Sequence, residues 1–150
     1  MSDDADADDL TRLAFAATPL AVRQALAQAR SCWACAGLID DVCRIGEQVL
    51  AEVLNNVIEH AQAGMSDGQV RLETGRAGRG IVCRVQDNGT GLPGGQLPPG
   101  DLAEFCDAAD DLPEGGFGWF MIRSMTSALT YTRSDGWNRL EFHIADNNDR

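Results

Sequence analysis

The sequence predicts an α+β fold, a two-layer α/β sandwich in which a mixed, mostly antiparallel sheet is covered by three helices. Two observations predict it. Apolar residues alternate with period two in five short segments and recur with period 3.6 in three longer ones. The segments run strand, two helices, two strands, loop, helix, two strands, an order that suits one sheet with helices packed on it. A chain of 150 residues suits one domain, since a domain of this size buries roughly 70% of its unfolded surface. We therefore expect an acidic, disordered tail over residues 1–9 and a single domain over residues 10–150.

Residues 10–17 place Leu13, Phe15 and Ala17 on one face and read as the first strand. Thr18 is a capping residue and Pro19 suits a first helical turn, so a helix starts there; Leu20, Val22, Leu26, Ala29 and Trp33 recur at helical spacing until Gly37 stops the run. A second, longer helix carries Ile39, Val42, Ile45, Val49, Val53 and Val57, with Asp40 and Asp41 at its positive end and Ala63-Gly64 closing it. Residues 69–74 and 80–86 alternate as two strands, with Val70 and Leu72 in one and Ile81, Cys83 and Val85 in the other. Regularity is lost from residue 87 to 116 apart from a short helix expected at 102–108, and a loop this long in a compact domain is usually functional. Helical spacing returns from Gly118, and residues 129–133 and 139–144 close the fold as a hairpin around Asp135-Gly136.

Charge narrows the function classes. Of the 23 acids, eleven lie in two segments, the tail and residues 101–114; removing them leaves twelve acids against twelve basic residues. The body is neutral and offers no basic stripe to nucleic-acid phosphates, so direct nucleic-acid binding is not expected. All twelve basic residues are arginines, which excludes a P-loop and a lysine Schiff base. No apolar run approaches the ~20 residues of a membrane span, and the acidic start lacks the pattern of an export signal, so a cytoplasmic protein without membrane contact is expected. Five cysteines and no export signal argue for reduced thiols, and Cys32-Trp33-Ala34-Cys35 falls late in a helix, where free cysteine packs as a small hydrophobe rather than working as a redox pair. His60 and His143 have no cysteine or histidine at zinc-ligand spacing.

Three constellations carry chemistry. Glu52, Asn56 and His60 are spaced four apart on the long helix and stack along one face at the border of its buried stripe, where they line either a pocket or a solvated edge. Asn55-Asn56 in mid-helix, each costing up to about 0.7 kcal/mol against alanine, favours the pocket. Next comes Asp87-Asn88-Gly89-Thr90-Gly91 directly after a strand, where the glycines permit close backbone approach; an acidic turn would look alike. Gly89 to Gly94 satisfies G-x-G-x-x-G, but Pro93, Pro98 and Pro99 forbid the helix that a dinucleotide fingerprint opens. Last, Gly116-Phe117-Gly118 precedes a helix whose unpaired amides and dipole suit an anion, and a hinge would share its sequence.

In this order the three motifs resemble the N, G1 and G2 boxes of the GHKL ATPases, the superfamily of gyrase, Hsp90, MutL and histidine-kinase ATP-binding domains, over about residues 10–144. The two helices before the strands, the small size and Gly118-Trp119-Phe120-Met121-Ile122 look most like the anti-sigma-factor serine kinases of the RsbW type. The resemblance implies the Bergerat ATP-binding fold, with ATP and Mg²⁺ as cofactors. It implies that Asn56 holds the metal that bridges the phosphates, that Glu52 accepts or orients the proton of an attacking hydroxyl, and that Asp87 bonds the adenine amino group. Gly89 and Gly91 give the base room, Gly116 and Gly118 lie against the phosphates, His60 neighbours the pocket without being a ligand, and residues 101–114 belong to an ATP lid.

The implied activity is that of a serine/threonine-protein kinase that phosphorylates a STAS-type anti-anti-sigma partner and sequesters a sigma factor, regulating transcription by partner switching. A homodimer is among the assemblies the resemblance allows. The sequence departs from the family's pattern in two respects: the lid has no arginine or lysine between Gly94 and Gly115, so it has no cation to offer the γ-phosphate, and Thr126-Ser127-Ala128 stands where the family often carries an acidic residue late in the third helix. Two alternatives stay open, a catalytically silent nucleotide-binding interaction module and an orphan ATP-binding domain of a two-component phosphorelay.

Overall fold

The computed structural model describes residues 10–98 and 116–146. The acidic tail, the helix expected at 102–108, the lid assignment and Cys106 lie outside the described residues. Strand β1 (Thr11–Ala16) leads into helices α1 (Pro19–Cys35) and α2 (Asp40–Asn56). Strands β2 (Gln69–Ala77) and β3 (Gly80–Asp87) follow, then α3 (Gly116–Met125) and the strands β4 (Ser127–Ser134) and β5 (Trp137–Ile144). The sheet order is β1-β2-β3-β5-β4. Every neighbouring pair is antiparallel, so the expected mixed sheet is antiparallel throughout the described residues. The crossover through α3 leads into β4 at the sheet edge, and β5 returns as its hairpin partner, between β4 and β3.

Local chemistry sets the element ends. Thr18 caps α1 in an extended conformation, its Oγ1 accepting from the Ala21 amide at 3.2 Å, with Pro19 in the first turn. Past the other end, Gly37 takes φ +87°, a left-handed conformation that stops the helix without the penalty a side chain would add. Helix α2 has no side-chain cap; Asp40 and Asp41 stand in its first turn instead, and Arg30 of α1 bonds both Asp40 and Glu47, pinning the two helices together at the surface. The third helix begins at Gly116, two residues before the expected start.

One core joins the sheet to the helices. Trp33, Leu50, Leu54, Leu72, Ile81, Phe142 and Ile122 are fully buried, drawn from all three helices and the central strands. Burial of each such side chain contributes about 1.5–3 kcal/mol. Trp33 also donates from Nε1 to Thr74 Oγ1 at 2.9 Å, and Thr74 passes its own proton to the Val82 carbonyl at 2.9 Å, so the indole is satisfied inside the core. Leu20 and Ile39, which the apolar spacing assigns to the core, are 64% and 44% exposed. Both stand where a helix begins, before its stripe has turned under the sheet.

Candidate functional site

The pocket lies between α2, the end of β3 and the closing hairpin. It is a cavity of about 340 Å³ lined on its apolar walls by Val53, Val57, Val85, Leu92 and Leu140, with Asn56, Asp87, Tyr131 and Asn138 as polar groups. A largely apolar cavity with a few fixed polar groups suits a heteroaromatic ring.

Register puts the polar end together. Asp87 closes β3 and pairs directly with Asn138 of β5. Asp87 is 4% exposed, and three donors converge on its Oδ1: the Gly89 amide at 2.8 Å, Asn138 Nδ2 at 3.1 Å and Gln62 Nε2 at 3.4 Å. Among the described residues no donor reaches Oδ2, which leaves that oxygen for a ligand. Burial pushes the Asp87 carboxyl above the usual range, while the bonds from Asn138, Gly89 and Gln62 and the nearby Arg133 pull it back.

The loop after Asp87 is held tightly. The Thr90 amide donates to the Ala61 carbonyl at 2.7 Å, and a side chain at Gly89 would run into that same carbonyl. Gly91 is overlaid by Arg133, whose Cδ would lie 2.9 Å from an added Cβ. Close approach of backbone therefore requires glycine at 89, while at 91 an added side chain would have to displace Arg133. The Ala61 carbonyl is free to take part because it lies in the last turn of the helical run, where carbonyls have no partner within the helix; that turn, Val57–Ala61, is a π turn closed by a bond of 2.8 Å from the Gln62 amide back to the Val57 carbonyl.

The same turn modifies the expected polar row. Glu52 and Asn56 stay on the α-helical face, but His60, past the break, is turned outward; it lines the pocket rim with 59% of its side chain exposed. Asn56 lines the pocket, and its Nδ2 is buried without a hydrogen-bond partner. Opposite it stands Gly118 in the first turn of α3: an added Cβ would lie 2.6 Å from Glu52 Oε2 and 3.8 Å from Asn56 Nδ2. Of the expected site residues, Asn56, Asp87 and Gly91 line the cavity; Glu52 and Gly118 stand beside Asn56, Gly89 stands beside Asp87, and Gly116 is the first residue of α3.

The sequence does not single out Gln62, Tyr131, Arg133 or Asn138. Asn138 has a signal: strand alternation sets it on the same face as Leu140, Phe142 and Ile144, and a polar residue in an apolar row needs a buried partner. Gln62 has none, because its position depends on the π turn.

The sequence pattern of the histidine kinase-like ATPase domain matches residues 15–144. The chain belongs to the histidine kinase-like ATPase family. ATP binding is the property the family implies, and the five-stranded sheet with three helices is consistent with its fold. Over 89 residues this ATPase domain is 33% identical to a protein described as serine/threonine-protein kinase BtrW from Bordetella bronchiseptica (strain ATCC BAA-588 / NCTC 13252 / RB50). The match covers 59% of this chain and 61% of that protein. Among the described residues no helix is long and apolar enough to cross a membrane.

Magnesium fits this site. The unpartnered, buried Asn56 amide can turn to present its oxygen, a hard ligand, to the space beside Glu52 and Gly118. No cluster of three acidic, histidine or cysteine ligands exists among the described residues. A metal ion here would be held by Asn56 and would need further oxygen ligands from outside this chain's described residues.

Proposed function

We propose that the protein is an ATP- and Mg²⁺-dependent serine/threonine-protein kinase that phosphorylates a STAS-type anti-anti-sigma partner and, as an anti-sigma factor, sequesters a sigma factor when that partner is absent. The observation that carries the kinase reading is the juxtaposition of Glu52, Asn56 and Gly118, with the Glu52 carboxylate occupying the space that any side chain at position 118 would need. The relative described as a serine/threonine-protein kinase supports the same reaction class.

In this reading Asp87 Oδ2 accepts a hydrogen bond from the adenine amino group, and the valine and leucine walls cover the ring and exclude water. Amides at the start of α3 face the phosphates, with the helix dipole favouring their charge. Asn56 would hold Mg²⁺, which neutralises charge that develops on the phosphoryl oxygens. Glu52 takes the proton of the partner's serine hydroxyl as the oxygen attacks the γ-phosphorus and the bond to the ADP oxygen breaks.

The purified protein, its STAS neighbour, Mg²⁺ and labelled ATP provide the test. Phosphoserine on the partner that disappears with Glu52→Gln is the expected result. ADP and ATP binding with no transfer to any STAS partner would support instead a silent nucleotide-binding interaction module, the reading favoured by the absence of any cation between Gly94 and Gly115.

A further inference from the structure

The closing hairpin does more than complete the sheet. Asn138 is 6% exposed and both ends of its amide are engaged. Its Oδ1 accepts from Tyr131 Oη at 2.6 Å and from Arg133 Nη1 at 2.8 Å. Its Nδ2 faces Asp87 Oδ1 at 3.1 Å, the Thr90 carbonyl at 2.9 Å and the Gly89 carbonyl at 3.4 Å. Two donors on one side and three acceptors on the other allow the amide a single orientation. Rotated by 180°, it would set its amino group against a guanidinium.

Arg133 enforces that orientation. Tyr131 Oη is ambivalent, since a hydroxyl can accept as well as donate, and it already accepts from the Leu92 amide at 3.0 Å. A guanidinium only donates. The second bond of Arg133 Nη1 runs to the Gly89 carbonyl at 2.9 Å, so one nitrogen ties the hub to the loop that follows Asp87. With Asn138 fixed, its amino group is committed to Asp87 Oδ1, and Oδ2 is the carboxylate oxygen that remains.

We propose that Arg133 is a positioning residue for base selection: by locking Asn138 and the Gly89 carbonyl it holds Asp87 so that Oδ2 presents a pure acceptor to the amino group of a 6-aminopurine, and so discriminates against 6-oxopurines. The proposal rests on the reading of this pocket as an adenine-nucleotide site. Arg133 is not among the residues that line the cavity, and it stands on an exposed strand at the sheet edge. Its charge opposes the effect of burial on the Asp87 carboxyl, in the same direction as the geometric role.

Calorimetric titration of the full chain with Mg²⁺-ADP and Mg²⁺-IDP, which lacks the amino group, tests this. The parent should prefer ADP. Arg133→Met keeps the aliphatic stem over Gly91 but removes the donors; it should weaken ADP about 10-fold and leave IDP within about twofold, narrowing the preference. Damage to the loop as a whole would weaken both nucleotides equally. Arg133→Lys, which restores a cationic donor, should recover most of the preference. An unchanged ADP to IDP ratio in Arg133→Met, or a lysine variant that behaves like the methionine one, overturns the positioning role and leaves the nucleotide site standing. A parent that binds neither nucleotide, or both alike, overturns the adenine reading and this inference with it.

Discussion

Gly118→Ala should separate activity from stability. No left-handed φ is found at Gly118, so alanine meets no backbone strain there, and replacing glycine in a helix gains about 0.5–1 kcal/mol. The new methyl group would lie 2.6 Å from Glu52 Oε2. Ordinary van der Waals separation requires the carboxylate to retreat by roughly 1 Å, which is cheap for the end of a flexible side chain. It is not cheap for phosphoryl transfer, where a misplacement of about 1 Å costs on the order of 100-fold in rate. We expect a variant whose melting temperature is unchanged or raised by up to about 3 °C and whose phosphotransfer falls about 100-fold. Thermal unfolding and partner phosphorylation, measured on the same preparation, check it. Transfer at the parent's rate would refute the placement of Glu52 at the reacting end of the pocket, and a melting temperature several degrees lower would refute the account of the space around Gly118.

Other substitutions probe the remaining structure. Asp87→Asn keeps an oxygen for the three donors on Oδ1 but turns the free acceptor into a donor, so adenine-nucleotide affinity should fall about 100-fold by calorimetry. Burial raises the folded-state pKa of Asp87, so the stability it confers is complete below the unfolded pKa and lost as pH rises through the folded one. The asparagine variant should therefore melt no lower than the parent at pH 8, with its relative advantage gone only at about pH 3, below the unfolded carboxyl's range; a lower melting point at pH 8 alone would contradict this. Burial pushes the Cys83 thiol up to about 12, so at pH 8 only roughly one in ten thousand is a thiolate. A disulfide reagent should label exposed Cys35 in the folded protein and reach Cys83 only on unfolding; rapid labelling of Cys83 would argue against its burial. Trp33→Phe loses core volume and the bond to Thr74, and should cost about 2–3 kcal/mol and roughly 5–10 °C of melting temperature; a loss under about 1 kcal/mol would mean that the indole does not fill the core as described.

What the sequence makes legible follows from periodicity and punctuation. Alternation in Leu13 and Phe15, or in Ile81, Cys83 and Val85, exposes the strands because each has one face against the helices. Thr18-Pro19 and Gly37 mark α1 because capping is a local interaction. The motif residues Glu52, Asn56, Asp87 and Gly118 stand out because each is a poor choice for ordinary packing at its position. The rest is hidden for identifiable reasons. Antiparallel pairing of β3 with β5 is a long-range fact of register, and with it goes the contact of Asp87 with Asn138, 51 residues apart. Arg133 and Tyr131 look like ordinary residues of an edge hairpin until the loop after Asp87 is folded against them. His60 continues the i+4 row on paper, but the π turn carries it off the row.

That π turn makes the end of the long helix a matter of residue count rather than residue type. It holds one residue more than an α-helical turn spans, and the surplus sets the direction in which the terminal Ala61 carbonyl meets the Thr90 amide at 2.7 Å. Deleting a single residue between Val57 and Ala61 would turn the end of the helix by about 100°, point that carbonyl elsewhere and leave the Thr90 amide without its match. The junction would lose its spacer while every motif residue remained in place.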